Sequence, residues 1–120
     1  MSRFEELIQD LCPDGVEYMK FDETCIYVRG ITYNKSQEAK ESDSYPWKVL
    51  RANNITLSSN TLNFDDVKLI KSDVNVKQEQ FLKKNDILIC AGSGSKEHIG
   101  KVAFIKSDMK YTFGGFMAVI

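Results

Sequence analysis

The sequence predicts an α+β fold: a strand-rich domain built on a mixed or antiparallel sheet, with an N-terminal amphipathic helix and short helices. Three observations lead there. The last third of the chain alternates short apolar runs (Ile87-Leu88-Ile89-Cys90, Gly100 to Ile105, Phe113 to Ile120) with polar turns, as strands separated by loops do. Two earlier stretches, Cys25-Ile26-Tyr27-Val28 and Trp47-Lys48-Val49-Leu50-Arg51, carry β-branched and aromatic side chains that suit a pleated, half-buried surface. The clearest helical spacing is at the N-terminus, where Phe4, Leu7, Ile8 and Leu11 fall on one face.

Each element follows from local chemistry. Ser2-Arg3-Phe4-Glu5 has the form of a capping box, in which the serine hydroxyl and the glutamate each satisfy the other's backbone amide. The helix it opens is stopped by Pro13-Asp14-Gly15, and its apolar stripe is expected to pack on the sheet. Val16 to Phe21 alternates like a strand, Asp22-Glu23-Thr24 forms one helical turn, and a strand follows over Cys25 to Val28. From Gly30 to Tyr45 the chain is polar and without period, and so long a loop in a small domain is commonly functional. Trp47 to Arg51 is a strand, and Leu62 to Ile70 a second after the Ser58-Ser59-Asn60 turn. Asp73 to Leu82 forms a short helix capped by Ser72, before the three apolar runs. No internal repeat appears.

At 120 residues, 42% hydrophobic and 28% charged, the chain has the size and composition of one globular domain. No run of 18 apolar residues is present, which excludes a helical membrane span. The opening residues are amphipathic rather than signal-like. Cys12, Cys25 and Cys90 are odd in number and widely spaced, the pattern of free thiols in a reducing, cytoplasmic setting. One histidine, His98, and no paired cysteine spacing argue against structural zinc. The net charge of −1 hides an asymmetry: residues 1–47 sum to −5 and residues 48–120 to +4. A basic footprint suits phosphate binding, although small proteins fluctuate this much by chance.

Several motifs carry possible chemistry. Gly92-Ser93-Gly94-Ser95-Lys96 lacks the Gly-Lys-Ser/Thr order of a nucleotide phosphate loop, and Glu97 would repel a nucleotide's phosphates. Its glycines still allow successive amides to converge on one backbone phosphate, beside the hydroxyls of Ser93 and Ser95 and the charge of Lys96; a plain turn is the alternative. Arg51-Ala52-Asn53-Asn54-Ile55 offers side chains whose donor and acceptor geometry matches guanine and adenine, or else a turn whose asparagines satisfy backbone groups. Pro13-Asp14 with Glu38-Ala39-Lys40 echoes a nuclease pattern, but a helix-ending turn and a polar loop are poor supports for converging magnesium ligands. Asn34-Lys35-Ser36 and Asn54-Ile55-Thr56 match the glycosylation sequon, coincidentally in a chain that is not exported. His98 has no nucleophile or acid at a telling spacing and is expected at the surface. Phe104, Tyr111, Phe113 and Phe116 are expected in the core. No glycine-rich S-adenosylmethionine loop and no Asn-Pro-Pro-Tyr type of methyltransferase motif is present, so no catalysis and no cofactor are expected.

Four segments in order carry a resemblance: Leu11-Cys12-Pro13-Asp14-Gly15-Val16-Glu17-Tyr18 with the strand ending at Arg29-Gly30; Leu50-Arg51-Ala52-Asn53-Asn54-Ile55; Asp86-Ile87-Leu88 with its Gly92 to Ser95 loop; and Phe113-Gly114-Gly115-Phe116. On these, over nearly all its length, the chain resembles the specificity subunit of type I restriction-modification systems, in particular one target recognition domain. Members of that family run on into a long helical spacer. The resemblance therefore implies that residues 1–120 are a single recognition domain, incomplete at its C-terminus and without its spacer. It also implies sequence-specific binding of double-stranded DNA, reading one half of a bipartite target. The implied partners are a methyltransferase subunit using S-adenosylmethionine and a restriction subunit using ATP, which hold the catalysis. Base reading would fall to the loops, with Tyr33, Asn34, Lys35 and Gln37 in the first and Asn60 and Asn63 in the second. Arg51 and Asn53 lie in a segment shared by members with different targets, which gives them a structural or phosphate-contacting role. Ser93, Ser95, Lys96, Lys101 and Lys68 would position phosphates. Two rival readings are a module that docks on the methylation machinery without reading DNA, and a small nuclease.

Overall fold

Strand formation in this chain is concentrated where apolar residues alternate with small or polar ones. The computed structural model describes residues 2–92 and 96–120. In chain order its elements are α1 (Arg3–Leu11), α2 (Phe21–Thr24), β1 (Val28–Arg29), β2 (Trp47–Leu50), β3 (Ile55–Thr56), β4 (Thr61–Leu62), β5 (Lys68–Ile70), β6 (Ile87–Cys90), β7 (Val102–Phe104), β8 (Thr112–Phe113) and β9 (Met117–Val119), with four 3-10 turns between them. This is the expected α+β architecture. No helix among the described residues is long and apolar enough to cross a membrane.

Two sheets and a hairpin make up the body. The first sheet has the order β1-β9-β6-β7, antiparallel throughout. The second has the order β5-β2-β8, with β2 antiparallel to β5 and parallel to β8. β3 and β4 form the separate hairpin. Most of the core lies against Leu50, Leu88, Phe113, Met117 and Val119, joined by Ile55, Leu82, Cys90, Ala103 and Ile105. Because successive residues of a strand face opposite sides, Val49 leaves that cluster and enters a second one with Ile31, Ile70 and Val74. The second sheet is thus covered on both faces.

The two sheets share the core around Leu50, Leu88, Phe113 and Met117, and they are also joined directly by backbone. Ile31 bridges Gly114 in parallel sense. Around that bridge, the amide of Gly30 donates to Met117 O (3.0 Å), that of Ile31 to Phe113 O (2.8 Å), and that of Gly114 to Leu50 O (3.1 Å). The approach is so close that a Cβ built on Gly30 would lie 2.0 Å from the Gly114 oxygen. Only a residue without a side chain fits there.

Several expected elements are absent, each for an identifiable reason. Helix α1 forms as predicted, with Glu5 N–H donating to Ser2 Oγ (3.1 Å) and Ser2 N–H to Glu5 Oε2 (2.8 Å), but its stripe does not pack on a sheet. It has no buried residue, and Phe4 and Leu11 remain 71% and 76% exposed. Both core clusters close without any residue of this arm, and the intervening Val16 to Phe21 joins no ladder, contrary to expectation. The radius of gyration is accordingly 17.0 Å, against about 14 Å for a compact chain of this length. The predicted strand at Cys25 to Val28 is shifted, with pairing only at Val28–Arg29. The predicted strand at Leu62 to Ile70 is cut in two. The buried Asn54 amide donates to the carbonyls of Asn63 and Asp66, both at 3.1 Å, withdrawing them from any ladder. The predicted helix at Asp73 to Leu82 is reduced to a 3-10 turn at Gln78–Gln80. There the Val74 carbonyl accepts from Trp47 Nε1 (2.9 Å) instead of from a helical amide, and Val74 and Val76, spaced by two, both face the second cluster.

The inter-sheet crossing makes a clear stability prediction. Gly30→Ala forces its new methyl into the Gly114 carbonyl and lowers unfolding stability by about 3 kcal/mol or more. Gly114→Ala meets nothing nearer than 4.0 Å and costs less than about 1 kcal/mol. Urea denaturation of the two variants checks the contrast.

Candidate functional site

The crossing of the two sheets opens a cleft of about 690 Å³ on one side of the molecule. Its walls come from four separated segments. Arg29 ends β1, and Thr32 and Tyr33 follow it. Arg51, Ala52 and Asn53 follow β2. Gly92 and His98 come from the β6–β7 connection, and Gly114 to Met117 from the β8–β9 turn. Residues from all four segments singled out in the sequence therefore meet here, although they lie far apart in the chain.

Arg51 is built in from behind. Its amide donates to Asn54 Oδ1 (2.9 Å), and the buried Asn54 is held by the two carbonyls already described. The Arg51 Nη2 pairs with Asp66 Oδ2 (3.1 Å), while its Nε is buried with no acceptor among the described residues. Arg29 Nε donates to Gly115 O (2.8 Å). Lys101 Nζ donates to Ala52 O (3.3 Å) and lies 3.1 Å from His98 Nδ1, a geometry in which that ring nitrogen accepts and Nε2 carries the hydrogen. Cys90 sits just inside, donating to Gly92 O (3.3 Å). Burial pushes its thiol above the usual range against the opposing charge of Lys101, so it stays protonated and is a poor nucleophile.

No carboxylate lines the cleft among the described residues, although the chain holds 17 acidic side chains. Asp66 pairs with Arg51 but points largely to solvent, its side chain 76% exposed. An acid-free concavity with guanidinium groups and exposed backbone favours a ligand that is anionic or rich in acceptors. No group of three or more His, Cys, Asp or Glu that could hold a metal ion occurs among the described residues.

The structure brings together only some of the residues singled out in the sequence. Tyr33, Arg51 and Asn53 line the cleft, and Lys101 braces it from beneath. Lys96 is exposed in the 3-10 turn that ends at His98. Asn34, Lys35 and Gln37 lie outside the lining, in a 3-10 turn closed by Asn34 N–H to Gln37 Oε1 (2.9 Å) and tied to the second sheet by Lys71 N–H to Gln37 O (2.8 Å). Asn60 takes the left-handed φ of 52° that the β3–β4 turn requires, and Asn63 Nδ2 is spent on Asn53 O and Thr56 Oγ1. Lys68 pairs with Glu38 (3.0 Å). Ser93 and Ser95 lie outside the described residues. Of the aromatics expected in the core, Phe113 is buried and Tyr111 packs partly against it. Phe104 and Phe116 are 54% and 67% exposed: the first points outward from edge strand β7, and the second sits in the β8–β9 turn at the cleft rim. Sequence reasoning assigned no role to Arg29 or Thr32, and none in binding to His98 or Phe116. The available signal was the Arg-Gly and Gly-Gly-Phe pairs, whose meeting is a long-range event.

The turn beneath Arg51 makes its own prediction. Asn54→Ala removes the acceptor of the Arg51 amide and the buried donor shared by the carbonyls of residues 63 and 66, and costs about 2–4 kcal/mol. Asn53→Ala removes only one exposed 3.5 Å contact and stays within about 0.5 kcal/mol. Thermal or urea unfolding separates them.

No family model matches the chain, and no solved structure matches it. Two curated proteins do: the type I restriction enzyme StySPI specificity subunit of Salmonella potsdam, 30% identical over 109 residues, and the type I restriction enzyme EcoKI specificity subunit of Escherichia coli (strain K12), 31% identical over 109 residues. Each alignment covers 90% of this chain and 23% of the relative. The chain is thus a relative, along nine-tenths of its own length, of the specificity subunits of type I restriction enzymes, and spans about a quarter of theirs.

Proposed function

We propose that this chain is a DNA target recognition domain, or most of one, that reads one half of a bipartite duplex target as part of a type I specificity subunit. The observation that carries the reading is the convergence of the Arg29, Arg51–Asn53 and Gly114–Phe116 segments on one acid-free cleft. In such a division of labour, cations on a rigid scaffold engage phosphates while loop side chains reach base edges. Tyr33 at the cleft and the loop through Tyr45 are the candidates for base contact. The methyltransferase and restriction subunits are the implied partners. Cleavage and methyl transfer belong to them, since the cleft offers cations and donors rather than an activated nucleophile.

The test is duplex binding by the chain across a salt series, with a randomised duplex pool to find its preference. Affinity is expected to fall steeply with salt, with a log–log slope of about −0.9 per phosphate neutralised, and one short sequence is expected to be enriched. Exchanging residues 33–45 for the matching loop of a diverged relative should change that sequence while preserving the slope. No duplex binding at low salt would favour a module that docks on the methylation machinery without reading DNA. Cleavage of the duplex on adding magnesium would point to a nuclease instead.

A further inference from the structure

Arg29 differs from the other cations around the cleft. Arg51 is paired with Asp66, and Lys101 is occupied by Ala52 O and His98. Arg29 has no carboxylate within ion-pair distance among the described residues, yet it is firmly placed. Its backbone pairs with Ala118 across β1 and β9, its carbonyl accepts from Gln80 Nε2 (3.1 Å), and the next residue is wedged against Gly114. Its Nε–H is given to Gly115 O (2.8 Å), which orients the guanidinium while leaving both terminal nitrogens without a protein acceptor among the described residues. The amides of Gly115 and Phe116, in the same turn, likewise donate to no backbone carbonyl among the described residues.

A guanidinium anchored through Nε presents a planar fork matched to two oxygens of a tetrahedral oxyanion. Anchoring also removes part of the side-chain entropy that binding would otherwise cost. We propose that Arg29 grips one backbone phosphate of the nucleic acid in this cleft, aided by the Gly115–Phe116 turn, and so sets the register of the duplex rather than reading a base. This rests on the DNA-recognition reading above.

The experiment compares the chain with Arg29→Gln and Arg29→Lys in the same duplex salt series. Arg29→Gln is expected to reduce the magnitude of the salt slope by about one and to weaken binding roughly tenfold at about 0.1 M salt, by the same factor for preferred and scrambled duplexes. Arg29→Lys is expected to keep the slope and lose part of the affinity. A loss confined to one base pair of the preferred sequence would mean a guanine-edge contact and overturn the proposal, as would unchanged binding by Arg29→Gln. If the parent chain binds no duplex, inorganic phosphate decides, followed by NMR at the amides of Gly30, Gly115 and Phe116. Saturable shifts abolished by Arg29→Gln would uphold the clamp while overturning the DNA reading; no shifts would overturn the clamp as well.

Discussion

The close passage of the Gly30 backbone across the Gly114 carbonyl holds the architecture together. It aligns three hydrogen bonds between segments more than 60 residues apart, linking the antiparallel sheet of β1, β9, β6 and β7 to the β5-β2-β8 sheet. Side chains could not make this joint, because anything larger than hydrogen would separate the strands and release buried amides whose loss is costly. The joint also determines where function can reside. Chains that cross at contact distance must diverge on either side, and the space they leave is the cleft.

Polar groups around that cleft divide sharply between structural and available. Asn54, the only fully buried asparagine among the described residues, spends its amide on three backbone partners, and in doing so breaks what would have been one long strand. Asn63, Lys68 and Lys101 are similarly committed. An asparagine or lysine in a loop is thus weak evidence of ligand contact until its partners are known. Arg29 is different: it is positioned by a carbonyl and has no carboxylate within ion-pair distance among the described residues.

The N-terminal arm obeys a different balance. Its capping box and apolar spacing suffice to form helix α1, since both act within a few residues. Burial of the stripe needs a complementary surface, and both core clusters close without any residue of this arm. Phe4, Leu11 and Tyr18 therefore remain in solvent, the sort of apolar exposure that marks a surface for association.

The amino-acid sequence by itself determined the α+β class, the N-terminal helix and its cap, the strands at Trp47–Leu50 and through the apolar runs after Asp86, and the relationship to type I specificity subunits. These depend on local spacing and composition, or on ordered motifs. Only the tertiary structure decided that residues 73–82 are not a helix, that residues 62–70 form parts of two different ladders, and that Arg29 and Phe116 share a site with Arg51. In each case the deciding partner is distant in the chain: Trp47 taking the Val74 carbonyl, Asn54 taking those of 63 and 66, Gly114 admitting Gly30. Local pattern registers which conformations a segment favours, but a backbone carbonyl bonds to whichever donor the assembled fold brings within reach, and that choice is not encoded in any window of neighbouring residues.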